Sequence, residues 1–301
     1  MPSLGVCVVW RFEGGVTEAP YDQAREDASA RPPYALGHSQ RELERLSVQA
    51  RLIGPITRRF FTEAGIGEGM RVLDVGSGAG DVAFLAAELI GATGEVVGTD
   101  RSGAALAVAR ERAAALSYDM ITFLEGDPTE MQFERPFDAV VGRYVLMYQP
   151  DPAATLTELA SRVRPGGIVA FHEPYRDNVR SYPPVVEYDH GWELVDETFR
   201  RTGADPLMGI KLHAAFVAAG LPAPTMRMES VIAGGATSSD QVHFEMDVLA
   251  TLVTEFERLG IAPGDDFDAA TLPARAFAAA SATDSVIVGR SEVGAWARKP
   301  G

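Results

Sequence analysis

The sequence predicts an α/β protein built on a doubly wound, mainly parallel sheet. Between about residues 38 and 175, helical segments alternate with short β-branched runs, which is the order expected when crossover helices join parallel strands. The first of these strands, at 71–75, runs into a glycine-rich turn and then into a helix, as at the ligand-binding edge of such sheets. Of the 301 residues, 46% are hydrophobic, which suffices for one large domain or for a domain with an added lobe.

Local signals place each element of this alternation. Ser39 and Glu42 have the spacing of a capping box and start the first helix. Ser102 caps the helix after the second strand, and Asp151 followed by Pro152 begins the helix before the fifth. The strands of this region are predicted at 71–75, 95–100, 121–125, 137–142 and 167–173. Further along, the pattern predicts a helix at 212–220, a strand at 224–232, an amphipathic helix at 241–259 and a last strand at 285–299.

Three regions follow from this pattern. Residues 1–37 are expected to form a leader or cover, residues 38–175 the ligand-binding core, and residues 176–301 a C-terminal part that completes the sheet. Two segments of that last part, 176–210 and 235–282, are extra to a simple sheet and are predicted to form a substrate lid. The helix at 241–259 either closes the pocket or pairs with a second subunit through its apolar stripe, which comprises Phe244, Val248, Leu252, Phe256 and Leu259.

The charge balance limits the class of partner. Asp and Glu number 42 against 27 Lys and Arg, which gives a formal net charge of −15 and a field that repels phosphate. Nucleic acids and anionic membrane surfaces are therefore not expected as partners, and a small molecule is. Cys7 is the single cysteine, there is no recognisable signal peptide, and no stretch has the roughly 20 apolar residues of a membrane span, so a cytoplasmic protein is predicted.

The glycine turn and two acids predict an adenosine site. Gly76, Gly78 and Gly80 follow the first strand, where backbone with positive φ lets a ligand approach the main chain. Asp100 ends the second strand, where it can accept hydrogen bonds from ribose hydroxyls, and Asp127 ends the third, where it can accept from an adenine amino group. The G-x-G-x-G spacing differs from the dinucleotide pattern, because the third glycine comes one residue early. An acid at the helix start, Asp81, is unfavourable beside a phosphate and tolerable beside an ammonium or sulfonium.

Five segments together resemble a known family. VLDVGSGAGD, EVVGTD, EGDPTEM, FDAVVGRYVLMYQPDP and RPGGIVAFHEPY are similar, in order and spacing, to the successive motifs of class I S-adenosylmethionine-dependent methyltransferases of the bacterial small-molecule type. The resemblance covers residues 38–175 well and 205–233 more loosely. It implies a Rossmann-like, seven-stranded sheet whose last strand is antiparallel, with an N-terminal helical cover and C-terminal lid insertions.

The resemblance also implies a set of cofactor-binding residues. The glycines would lie along the methionine part of S-adenosylmethionine, Asp100 on the ribose and Asp127 on the adenine amino group, while Arg143 would border the methionine part through its backbone. Tyr34, Arg45 or Gln49 would meet the methionine carboxylate, although a solvated helix face explains Arg45 and Gln49 equally well. The full set is Tyr34, Arg45, Gln49, Gly76, Gly78, Gly80, Asp100, Arg101, Asp127, Pro128 and Arg143.

Two residues at the end of the fifth strand are the candidates for catalysis. His172 is the leading candidate for a general base, because an ordinary histidine pKa of about 6.5 leaves it partly neutral at cellular pH. Side chains alternate along a strand, so one of His172 and Glu173 is expected to face the pocket and the other to orient a neighbour. A buried histidine with satisfied hydrogen bonds is the competing interpretation. No histidine has the carboxylate neighbours of a metal site.

Aromatic side chains are expected to line the acceptor site. Residues 181–192 are predicted to form a loop that sandwiches a planar substrate, although such loops also pack as hydrophobic plugs. Tyr144 after the fourth strand is a further candidate wall, and a place in the core explains it as well. The predicted substrate residues are Tyr148, Tyr175, Tyr188, His190 and Trp192.

The expected activity is transfer of a methyl group from S-adenosylmethionine to oxygen, nitrogen or activated carbon of a small aromatic or polyketide-like metabolite. Three alternatives remain open at this point. The cofactor can serve a cyclase or isomerase that transfers no methyl group, or a binding protein without catalysis. A nicotinamide-dependent dehydrogenase is disfavoured by the glycine spacing and by Asp127.

Overall fold

The computed structural model describes residues 40–261 and 267–301, and the side chains of these residues except those of 40–50 and 250. The predicted leader at 1–37 and the Ser39 cap lie outside this description. The strands are β1 (Arg71–Val75), β2 (Glu95–Asp100), β3 (Ile121–Glu125), β4 (Phe137–Arg143), β5 (Val163–Tyr175), β6 (Arg180–Tyr182), β7 (Thr225–Gly234) and β8 (Val286–Arg298). The helices are α1 (Gln40–Ala64), α2 (Asp81–Ile90), α3 (Gly103–Ala115), α4 (Pro152–Ser161), α5 (Val186–Thr202), α6 (Met208–Ala218), α7 (Ser239–Leu259) and α8 (Leu272–Ala282).

The strands form one sheet in the order β3-β2-β1-β4-β5-β8-β6, and β7 pairs with β8 as well. Strands β1 to β5 are parallel, whereas β8 runs antiparallel to β5, β6 and β7. The doubly wound α/β prediction is therefore confirmed, together with the antiparallel last strand. The structure has one strand more than the expected seven, the short strand β6. The sequence does not predict β6, because its three residues lie in a segment that was interpreted as a loop.

Two hydrophobic clusters cover the faces of the sheet. On one face, α1, α2 and α3 pack on the sheet through residues such as Phe60, Phe84 and Leu106. On the other face, α4 and α6 pack together with α5, α7 and α8, and the same cluster includes Phe171, Trp192 and Leu249. Parallel strands covered on both faces are expected to be apolar throughout, which is why β1 and β4 consist mostly of buried residues.

Local capping signals are present where the sequence indicated them. Ser102 Oγ accepts from the backbone N–H of Ala105 at 3.2 Å and begins α3. Asp151 Oδ1 accepts from the N–H of Ala154 at 2.9 Å, and Pro152 occupies the first turn of α4. Each side chain satisfies an N–H that has no partner within its helix.

The segment at 181–192 differs from the sequence prediction. The predicted loop is wrong from Val186 onward, because α5 starts there and continues to Thr202. Buried residues recur along this helix at intervals of three or four, namely Tyr188, Trp192, Val195 and Phe199, and this spacing drives helix formation against the rest of the chain. The polar residues between them and the prolines before them obscured that pattern. Helix α8, also absent from the prediction, packs in the same cluster.

The apolar stripe of α7 is used within the chain. Phe244, Leu252 and Phe256 are each at most 2% exposed, and Val248 is 8% exposed. Most of this stripe is therefore buried within the chain, and Leu259 at its end is half-buried. A homodimer stays a prediction. Within the described residues, no helix is both long and apolar enough to cross a membrane. The cytoplasmic location stays a prediction.

Candidate functional site

The glycine turn between β1 and α2 leaves one open position. Gly76, Gly78 and Gly80 have φ angles of 65°, 51° and 93°. A Cβ atom at Gly76 would lie 2.9 Å from Val145, and one at Gly80 would lie 2.7 Å from the Phe84 ring. A Cβ atom at Gly78 would meet no atom within 4 Å. Packing therefore requires glycine at the two outer positions, whereas the backbone at Gly78 borders space that a ligand can fill.

Asp100 joins this turn to the end of β2. Its Oδ2 accepts from the N–H of Gly78 at 2.9 Å, and its Oδ1 accepts from the N–H of Ser102 at 2.8 Å. A carboxylate oxygen has two lone pairs, so each oxygen retains capacity for a ligand hydroxyl. Arg101, the next residue, is exposed. Asp100 thus lies beside the open position at Gly78.

Asp127 and Pro128 follow β3 in the adjacent turn. Asp127 Oδ1 accepts from the N–H of Thr129 at 3.0 Å and from its hydroxyl at 2.7 Å. The N–H of Gly126 donates to the carbonyl of Asp100 at 2.9 Å, which joins the ends of β2 and β3, and Pro128 is buried. The glycine turn, Asp100 and Asp127 therefore occupy the carboxyl ends of three adjacent strands.

The predicted contacts from the N-terminal region stay predictions. Tyr34 lies outside the described residues. Arg45 and Gln49 lie on α1, but their side chains are outside the description.

A row of buried polar side chains lies on the α1 face of the sheet. Asp74 on β1 is fully buried, and no side chain among the described residues donates a hydrogen bond to its carboxylate. Burial raises the pKa of Asp74 well above its usual range, and the nearby Arg143 charge opposes this shift. Arg143 on β4 donates to Thr57 Oγ1 at 3.2 Å and lies 4.0 Å from Asp81 Oδ2. The Arg143 side chain thus contributes directly to this row, beyond the backbone role that the resemblance implied.

His172 continues this row on β5, and both of its ring nitrogens contact the protein. Nε2 lies 2.7 Å from Glu292 Oε2, and Nδ1 lies 3.1 Å from Thr57 Oγ1. Burial lowers the pKa of His172, although the hydrogen bond to Glu292 raises it. Since the ring is fully buried, this geometry resembles the competing interpretation of a satisfied histidine. The role of a general base stays a prediction that these contacts do not favour.

Glu173 points to the opposite face. Its Oε1 accepts from the N–H groups of Val145 and Leu146 at 2.9 and 2.7 Å, and its Oε2 accepts from the N–H of Met147 at 3.3 Å. Burial raises the pKa of Glu173 to about 8, while these backbone hydrogen bonds lower it. The contacts make Glu173 a cap for the turn after β4, and its oxygens face the backbone of that turn.

Tyr144 begins the same turn with a left-handed backbone, at a φ of 58°. This conformation is unfavourable for a bulky residue and persists where surrounding contacts impose it, often at functional sites. The Tyr144 hydroxyl donates to Glu292 Oε2 at 2.6 Å and accepts from Arg290 at 3.1 Å. Burial would raise the pKa of Glu292, but Arg290 and the hydrogen bonds from His172 and Tyr144 lower it to about 2.

Sequence reasoning had not identified Thr57, Arg290 or Glu292. The sequence does contain a signal for Arg290 and Glu292. They are charged residues two positions apart in an apolar strand, and they therefore lie on one face of it. The residues that this face of β8 meets could not be predicted without knowing that β8 pairs with β5.

The predicted substrate residues lie in three different places. Tyr188 and Trp192 are 0% and 4% exposed on the inner face of α5, and Tyr148 is half-buried with its ring 6.4 Å from that of Phe199. His190 lies on the exposed face of α5, 3.4 Å from Glu193, so the structure separates it from the others. Tyr175 is half-buried and donates to Asp177 at 3.2 Å. Within the described residues, no three side chains of His, Cys, Asp or Glu are grouped as a metal site requires.

Comparison with known proteins identifies the kind of domain that this chain contains. Residues 66–203 match a family model described as a methyltransferase domain. Over 122 residues the chain is 38% identical to 2-phytyl-1,4-naphtoquinone methyltransferase of Synechococcus elongatus, a match that covers 39% of this chain and 52% of that protein. It is 34% identical to demethylmenaquinone methyltransferase of Staphylococcus aureus, with 38% and 48% covered. The chain therefore spans about half the length of these curated relatives.

A solved structure with the same fold contains a cofactor product. Phosphoethanolamine N-methyltransferase 2 of Haemonchus contortus, determined with S-adenosylhomocysteine, matches 86% of this chain and 53% of its own length with a TM-score of 0.51. The sequence identity is 19%, so this likeness concerns the fold.

Proposed function

Because the chain carries a class I S-adenosylmethionine-dependent methyltransferase domain at residues 66–203, we propose that it transfers a methyl group to a small planar aromatic acceptor of the hydroquinone type. S-adenosylmethionine is the cofactor of this domain. The observation that carries the proposal is the open position at Gly78 beside the Asp100 carboxylate, at the carboxyl edge of the sheet. The acceptor class is supported by the names of the two quinone methyltransferases that the chain resembles.

The residues of this edge suit the cofactor. Asp100 would accept from the ribose hydroxyls and Asp127 from the adenine amino group. Asp81 opens α2 and places a carboxylate near the turn. Burial raises the pKa of Asp74 and favours its neutral form, so the negative charge at this turn comes from Asp81. Such charge favours the ammonium of the methionine part and disfavours the pyrophosphate of a dinucleotide.

The cofactor supplies a methyl group on a sulfonium, whose leaving group is a neutral thioether. The tasks left to the chain are to hold the acceptor in line and to accept or direct its proton. The turn at 144–148, held by Glu173, and the inner face of α5 would form the walls for the acceptor. We propose that α5, α7 and α8 together form its cover, as the two lid segments of the sequence predict.

The test combines binding with product analysis. Calorimetric titration with S-adenosylmethionine, S-adenosylhomocysteine and NADH should give micromolar binding of the first two and none of the third. Incubation with S-adenosylmethionine and 1,4-dihydroxynaphthalene should then give a product that is heavier by one methyl group. NADH binding alone would refute the cofactor, and a converted but unmethylated product would favour a cyclase or isomerase.

A further inference from the structure

A buried arginine follows the last residue of β5. Arg176 is 6% exposed and lies beneath α5, one residue beyond the strand that bears His172 and Glu173. Its guanidinium carbon lies 4.3 Å from the centre of the Phe199 ring and 5.3 Å from that of Trp192. Two aromatic rings of α5 thus pack against the cation.

The hydrogen bonds of this guanidinium are incomplete. Nη2 forms an ion pair with Asp196 Oδ1 at 2.7 Å, and the Asp196 side chain is 36% exposed. Nε has no hydrogen-bond partner among the described residues. Burial lowers the pKa of Arg176 to about 10, which leaves it charged at neutral pH. Unmade hydrogen bonds on a buried cation are costly, so they indicate a site for a missing acceptor.

We propose that Arg176 binds an oxygen of the methyl acceptor, and that this oxygen is ionised in the reacting molecule. This inference rests on the proposed function and specifies its substrate class. A guanidinium has donors and no acceptor, and its planar fork suits an oxyanion. The rings of Trp192 and Phe199 pack against the guanidinium and keep it in an apolar environment, where its attraction for an anion is stronger than in water.

Ionisation of the acceptor oxygen explains how a neighbouring ring carbon becomes a nucleophile. The hydroquinone O–H loses its proton to solvent, and Arg176 stabilises the resulting oxyanion. The oxygen lone pair increases the electron density on the neighbouring ring carbon. That carbon forms a bond to the methyl group while the sulfur–methyl bond breaks and its electron pair passes to sulfur. The ring carbon then loses its hydrogen as a proton to solvent, which restores the aromatic ring as the hydroquinone anion. The oxygen regains a proton from solvent when the product leaves, so the oxidation state does not change.

Binding of two matched probes tests this assignment. 2-Hydroxy-1,4-naphthoquinone is an anion at neutral pH, and 2-methoxy-1,4-naphthoquinone is its neutral counterpart. In the presence of S-adenosylhomocysteine, the protein should bind the anion at least about tenfold more tightly, because hydrogen bonds to charged groups are stronger. Arg176→Met should abolish this preference. Arg200→Met removes an exposed arginine of α5, the helix that covers Arg176, and should leave the preference unchanged.

Substitution of Asp196, the acid paired with Arg176, distinguishes substrate binding by Arg176 from a purely structural ion pair. Asp196→Asn leaves the Arg176 charge less neutralised, so binding of the anion should tighten several-fold. If Arg176 serves only to hold α5, Asp196→Asn would lower the thermal unfolding temperature without improving anion binding, and the inference would be overturned.

Binding of S-adenosylhomocysteine distinguishes failure of the proposed function from failure of the Arg176 assignment. If the protein does not bind S-adenosylhomocysteine, the proposed function fails. If it does bind the cofactor product, but the preference is absent or survives in Arg176→Met, the inference fails and the proposed function stands. Should Arg176→Met not fold, Arg176→Lys replaces it. Lysine keeps the charge and loses the fork, so the preference should fall several-fold with unchanged S-adenosylhomocysteine affinity, and an undiminished preference would overturn the assignment.

Discussion

Alanine at Gly78 should weaken cofactor binding more than folding, whereas alanine at Gly80 should do the reverse. Both glycines have positive φ, a conformation that costs an alanine roughly 1–2 kcal/mol. At Gly78 the new Cβ meets no protein atom within 4 Å, so little is added to this cost. At Gly80 it would lie 2.7 Å from the Phe84 ring, and such overpacking adds roughly 1–3 kcal/mol.

These differences convert into measurable shifts. For a chain of this size, each kcal/mol lowers the thermal unfolding temperature by roughly 2–4 °C. We therefore expect a decrease of roughly 2–8 °C for Gly78→Ala and a larger one for Gly80→Ala. In Gly78→Ala the methyl group occupies ligand space, so the affinity for S-adenosylhomocysteine should fall at least about tenfold, or about 1.4 kcal/mol.

Differential scanning calorimetry gives the unfolding temperatures, and isothermal titration with S-adenosylhomocysteine gives the affinities. Gly220→Ala is a matched control, since Gly220 also has positive φ and a Cβ atom there would meet no atom within 4 Å, yet it lies outside the glycine turn. It should lower the unfolding temperature as Gly78→Ala does and leave the affinity unchanged. An unaltered affinity in Gly78→Ala would refute the placement of the cofactor at this turn.

Three further predictions concern acidic residues and histidine. Asp100→Asn should weaken S-adenosylhomocysteine binding by roughly 10–100-fold in the same titration, because the charged acceptor beside Gly78 is lost, with the exposed Asp119→Asn as control. In His172→Gln, turnover should fall less than about tenfold, since both ring nitrogens already contact the protein; a loss of 10² to 10⁴ would instead establish His172 as the base. The pKa of Glu173 is raised to about 8, so the folded state binds a proton that the unfolded state releases near pH 4.5, and the unfolding free energy should decrease as pH rises through this window. Glu173→Gln should remove this decrease of several kcal/mol from urea unfolding curves at pH 5 and 8, and parallel profiles for the two proteins would contradict the assignment.

Much of the fold could be predicted because its signals are local. The alternation of helices and strands, the caps at Ser102 and Asp151 and the turn at Gly76–Gly80 depend on residues a few positions apart. Helix α5 was missed because the intervals between Tyr188, Trp192 and Phe199 matter only once α7 and α8 provide a surface for them. The helix predicted at 241–259 was correct because its apolar residues recur at helical intervals. The surface that buries this apolar stripe belongs to the same chain.

The candidate site also has one part that could be predicted from the sequence and one part that could not. The sequence by itself determined which predicted cofactor residues lie together, since the glycine turn, Asp100 and Asp127 each follow a strand and parallel strands bring their carboxyl ends to one edge. Tertiary structure alone decided the surroundings of the fifth strand. β8 pairs with β5 and brings Glu292 to His172, while α5 folds over Arg176. These contacts join residues about 120 and 20 positions apart in sequence, and no local pattern specifies which strand edge or helix face a distant side chain will meet.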